Sequence, residues 1–97
     1  IGVIRRICDY FCEENKELEM DPSFEPTNSP YVNHEVIKPY ADPKNTSVFS
    51  ELQKLEGIGL VIPVGEEHMY FAAMNSKSCK LTSLGKQYWR LVHNNLI

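Results

Sequence analysis

A chain of 97 residues is long enough for one domain with a modest core and too short for two. Ten basic against thirteen acidic side chains leave a formal charge of −3, which argues against a strongly basic nucleic-acid module or a polybasic membrane binder but leaves room for a local positive patch. No apolar run is long enough to span a bilayer, so no membrane partner is expected.

Residues 2 to about 18 predict a first helix, with Val3, Ile4, Ile7, Cys8, Phe11 and Leu18 on one side and Asp9, Glu13, Lys16 and Glu17 mostly on the other. Arg5 and Arg6 are the densest positive pair in the chain and read as a solvated helix end. From 19 to 32 the pattern dissolves into a long loop carrying Pro22, Pro26 and Pro30, with Phe24 pinned to the body and Tyr31-Val32 as a very short strand. Asn33 then caps a short second helix at 34–41, bent by Pro39, and 42–45 is a turn. Residues 46–57 predict the principal helix. Thr46 or Ser47 is its N-cap, Val48, Phe49, Leu52 and Leu55 form its apolar stripe, and Gly57 or Gly59 is its stop.

Leu60-Val61-Ile62 is a β-prone run, Gly65-Glu66-Glu67 a turn, and His68–Met74 a second strand showing Met69, Phe71 and Ala73 on one face. Together they make a hairpin. Residues 75–79 read as a polar loop. A last helix follows from about Ser83 to Asn94, capped by Thr82, with Leu84, Tyr88, Leu91 and Val92 as its stripe and Trp89 at the edge. Gly85 inside it costs about 1 kcal/mol relative to alanine, which predicts a close contact at that position.

The face of helix 46–57 opposite its apolar stripe holds Thr46, Ser47, Ser50, Gln53 and Lys54, with Glu51 and Glu56 toward the flanks. Hydroxyls, an amide and one ammonium, without a carboxylate, are groups that donate to phosphates or read base edges. No catalytic pattern competes with this reading: there is no nucleotide loop, no nucleophile–base spacing and no metal-spaced cluster, so neither an enzyme nor a cofactor nor a metal is expected. Cys8, Cys12 and Cys79 are an odd set without framework spacing, which reads as free thiols inside a cell, in cytoplasm or nucleus. The chain opens at Ile1 and is expected to be a single domain, 1–97, cut from a longer protein.

The order helix, helix, turn, helix, hairpin, helix resembles a winged helix-turn-helix, an α+β and mainly α fold with a three-helix core, a β-hairpin wing and a C-terminal helix. The phrase Leu52-Gln53-Lys54-Leu55-Glu56-Gly57-Ile58-Gly59-Leu60-Val61, followed by Leu81-Thr82-Ser83-Leu84-Gly85-Lys86, is similar to the pattern of MarR-like and PadR-like bacterial regulators over residues 33–91. The resemblance implies double-stranded DNA as partner and 46–57 as recognition helix, with Lys44, Asn45, Thr46, Ser47, Ser50, Gln53 and Lys54 facing the groove or its phosphates. Glu66 and Glu67 depart from a phosphate-binding wing, and Lys77 and Lys80 compensate only if the chain folds back. A protein-interaction module is therefore the alternative. In it, Tyr88, Trp89 and Leu96 would meet a second copy or the rest of the parent protein.

Overall fold

The computed structural model describes residues 2–21 and 43–97, with side chains in the second segment from Val48 onward. The short strand 31–32, the helix 34–41 and most of the long loop lie outside the described residues. The rest is a small α+β domain. Two short helical pieces, α1 (Gly2–Arg5) and α2 (Ile7–Tyr10), precede a two-residue strand β1 (Leu18–Glu19). The principal helix α3 (Pro43–Gly57) leads into β2 (Val61–Val64). A short helix α4 (Met69–Met74) then precedes β3 (Ser78–Leu81) and the last helix α5 (Ser83–His93).

The first helix stops well short of residue 18, where its pattern predicts the end. The backbone turns extended at Phe11. The Phe11 ring is buried, and its carbonyl accepts the Trp89 indole N–H at 2.8 Å. Beyond it, Cys12–Glu17 carries three carboxylates and little to bury, so nothing favours further turns. Glu14 instead reaches Arg90 through two bonds of 2.6 and 3.1 Å.

Helix α3 starts earlier than the expected cap and takes in 43–45, which the sequence reads as a turn. Proline is well placed at a first helical position, where it has no useful amide to lose. The helix ends as predicted, with Gly59 as the residue that decides: its φ is +83°, and Leu60 N–H bonds back to the Leu55 carbonyl at 2.9 Å while Gly59 N–H reaches Glu56 at 2.9 Å. That pair of bonds closes a Schellman turn and brings Leu55 and Leu60, both buried, together.

The predicted second strand at 68–74 is a helix. Met69, Ala72 and Ala73 are buried at i, i+3 and i+4, whereas Phe71 stands about half exposed. Alanine and methionine favour the helix, and a short apolar run satisfies either period. The true partner of β2 is β3, in a stretch that reads as polar loop. Val61 pairs with Leu81, Ile62 with Lys80, Pro63 with Cys79 and Val64 with Ser78. On the far side Leu18 pairs with Cys79, giving an antiparallel sheet of order β1-β3-β2. Val61, Pro63, Cys79 and Leu81 face inward onto Phe49, Leu52 and Leu55 of α3 and Ile7 and Phe11 of the first segment, forming one core.

Helix α5 has the predicted cap: the Thr82 hydroxyl accepts from Gly85 N–H at 3.0 Å and donates to the Gly59 carbonyl at 2.6 Å. Its inward face differs from the predicted stripe. Gly85 is buried and Tyr88, Trp89 and Val92 pack on the core, while Leu84 is 45% exposed. The contact predicted at Gly85 is present, but with backbone and not with another helix, because a Cβ there would meet the Leu60 carbonyl oxygen at 2.0 Å.

Candidate nucleic-acid interface

Burying Phe49, Leu52 and Leu55 fixes which way α3 turns its other side. Ser50, Gln53, Lys54 and Gly57 are exposed, at i, i+3, i+4 and i+7 of one stripe. The side chains of Lys44, Asn45, Thr46 and Ser47 lie outside the described residues, although their backbone continues the same helix. The described part of the face therefore offers a hydroxyl, an amide and an ammonium.

Of the two carboxylates beside this stripe, Glu51 is drawn away from it. Glu51 is turned toward the first segment, where one of its oxygens accepts the Tyr10 hydroxyl and lies 3.3 Å from Arg6 Nε. Arg6 also lies 3.6 Å from Asp9 and stacks its guanidinium 5.5 Å over the Tyr10 ring. Burial, and then the bond to Glu51, push the Tyr10 hydroxyl up to about 12, so it stays a donor at neutral pH. Glu56 on the other flank is half-buried, and that burial raises its pKa despite the nearby His68. Between Arg6 and Lys54 opens a cleft of about 380 Å³, lined also by Gly2, Val3 and Glu51.

No family model, curated protein or solved structure matches the chain.

The hairpin expected over 60–74 does not form: Glu66 and Glu67 lie at the start of the 65–77 connection between β2 and β3, with Glu67 exposed and Glu66 accepting from the Asn75 amide at 2.9 Å. The chain does fold back here. Lys77 lays its stem against Gly65 at the turn, and Lys80 stands opposite Ile62 on the outer sheet face. The same connection carries α4, which packs three residues into the core.

Among the interface candidates, Trp89 and Tyr88 pack on the core, and Trp89 is tied by its bond to Phe11 and stacked on His93 at 4.5 Å. Leu96 is 67% exposed. Cys79 is buried, which with the charges of Glu56 and Glu17 pushes its thiol up to about 12 and leaves it inert. Among the described residues no group of three His, Cys, Asp or Glu side chains stands together as a metal site, and no helix is long and apolar enough to cross a membrane. Sequence reasoning missed the Tyr10–Glu51–Arg6 cluster, because its members are 41 residues or more apart except for Arg6 and Tyr10, and no spacing rule joins them.

Proposed function

We propose that this chain is a non-catalytic DNA-binding module of the winged helix-turn-helix type, acting inside the cell, with α3 as its recognition helix. The observation that carries the reading is the separation of charge around that helix. Ser50, Gln53 and Lys54 face outward together, while Glu51 is paired with Arg6 and accepts the Tyr10 hydroxyl, and Glu56 is half-buried. Such a face can approach a phosphate ladder, and β2, which follows directly on the helix, pairs antiparallel with β3 beyond α4 in the place of the expected wing. Lys44, Asn45, Thr46 and Ser47, from the start of the same helix, complete the proposed contacts.

Titration of a labelled mixed-sequence duplex tests it. Lys54→Glu places a carboxylate where a phosphate contact is proposed, and the double variant Lys44→Glu/Lys54→Glu should abolish binding. Wild-type affinity in the double variant would show that α3 is not the contact surface. The second reading, a protein-binding module, is favoured by the half-exposed Phe71 and the exposed Glu67 on one connection between β2 and β3, residue types suited to a basic protein segment. Failure to bind duplex at any salt concentration would favour it.

A further inference from the structure

Two cations compete for Glu51, and it is paired with one of them. Lys54 follows it by three residues on α3, the spacing at which an acid and a base meet on a helix surface. Arg6, from the first segment, lines the same cleft. The ion pair that forms is the one to Arg6, whose Nε lies 3.3 Å from a carboxylate oxygen, and that same oxygen accepts the Tyr10 hydroxyl. The Glu51 side chain is 21% exposed, set into the cleft wall, while Lys54 stands exposed beside Ser50 and Gln53.

Two features decide the competition. Arg6 is shared, because its Nε also lies 3.6 Å from Asp9, so one guanidinium serves two carboxylates. The Tyr10 hydroxyl has a single proton to donate, and Glu51 receives it. A hydrogen bond to an ionised acceptor is roughly twice as strong as one between neutral groups. An ion pair between exposed side chains along one helix is weak by comparison. The phenol is itself held in place, with its ring under the Arg6 guanidinium and packed on the core, so the hydroxyl is presented from a fixed position.

We propose that Tyr10, supported by Arg6, is a positioning residue that keeps Glu51 from pairing with Lys54 and so leaves the Lys54 ammonium available to a phosphate of the duplex. The consequence for binding rests on the DNA reading, whereas the competition is a property of the free chain. Neither Tyr10 nor Arg6 has to touch the duplex. Without the hydroxyl, Glu51 turns along α3 to Lys54, and the described part of the face loses its cation. Binding then weakens alike for every duplex, since a phosphate contact carries no sequence information.

Tyr10→Phe, Glu51→Gln and the double variant form a cycle that tests this by anisotropy titration of a labelled duplex. Tyr10→Phe should weaken binding severalfold and make the log–log salt slope shallower by up to about 0.9, one phosphate contact. Glu51→Gln should bind at least as tightly as wild type, and adding Tyr10→Phe to it should change nothing further, because no carboxylate is left to release. Should Tyr10→Phe unfold the domain, Arg6→Gln reads the same competition at a half-exposed side chain and should weaken binding only where Glu51 is present. Nuclear Overhauser contacts report the positioning without DNA: those of the Glu51 γ-protons should run to the Tyr10 ring in the wild type and to the Lys54 ε-protons in Tyr10→Phe. A wild type that binds no duplex contradicts the DNA reading alone, and these contacts then decide the role of Tyr10. Wild-type affinity in Tyr10→Phe, an equal loss in the Glu51→Gln background, or Glu51 contacts that never reach Lys54 would overturn the proposal.

Discussion

Replacing Gly85 by alanine should destabilise the domain, against the usual rule for glycine in a helix. Removing a helical glycine ordinarily gains about 1 kcal/mol, because alanine loses less backbone entropy on folding. At this position the new Cβ would lie 2.0 Å from the Leu60 oxygen, 3.0 Å from its carbonyl carbon and 3.3 Å from its Cα. The first distance is more than an ångström short of ordinary contact, and all three atoms are backbone, so no side chain can rotate out of the way. Either α5 lifts from the α3–β2 junction or the junction moves, and both routes stretch the 3.0 Å bond from Thr82 N–H to the same Leu60 oxygen. Overpacking of this kind costs about 1–3 kcal/mol, enough to outweigh the helical gain. With a backbone clash this short the cost lies toward the upper end, so urea unfolding should show a net loss approaching about 2 kcal/mol, and melting should fall by roughly 4–8 °C for each kcal/mol. Gly57→Ala supplies the internal control. That glycine is also helical, meets nothing within 4 Å of an added Cβ, and should gain about 0.5–1 kcal/mol. If both substitutions shift stability in the same direction, the close packing of α5 on Leu60 is wrong.

Thr82→Ala removes an acceptor for Gly85 N–H and a donor to the Gly59 carbonyl together, so a loss of about 1–2 kcal/mol in urea unfolding is expected, at the upper end for a helix cap. Trp89→Phe keeps most of the ring but leaves the Phe11 carbonyl without its 2.8 Å donor, for which about 1 kcal/mol should be lost. Glu56→Gln should stabilise the protein at neutral pH. The folded pKa of Glu56 is raised, so the wild type carries a cost of ionisation once pH rises through that value. The advantage of the glutamine variant should vanish below the ordinary carboxyl value of 4.5, and thermal melting from about pH 4 to neutrality reads the difference.

Helix α3, its glycine stop and the capped start of α5 are legible in the sequence because each depends on neighbours within a few residues. A stripe at helical spacing, Gly59 where a left-handed turn is needed, and Thr82 before Gly85 are local signals. The misreadings arise where local signals tie or tertiary contacts decide. Residues 69–74 fit a strand period and a helical period equally well, and only burial of Ala72 beside Met69 selects the helix. The face of α5 is read only in part, with Tyr88 and Val92 placed correctly and Leu84 not, because a glycine carries no hydrophobic signal, yet Gly85 lies at the centre of the buried side. The first helix ends at Phe11 through a bond from Trp89, 78 residues away. Of the candidate site, the polar line of α3 is visible in the pattern. The withdrawal of Glu51 is not, since it depends on Tyr10 and Arg6 arriving from another element.

The most direct measurement is fluorescence anisotropy of a labelled duplex titrated with the chain at low and near-physiological salt. The expected result is binding that weakens as salt rises, with a shallow log–log slope of about −1 to −3, because the proposed face has few cations and each phosphate contact contributes roughly −0.9. No change in anisotropy even at low salt would contradict the assignment of α3 as a DNA-recognition helix.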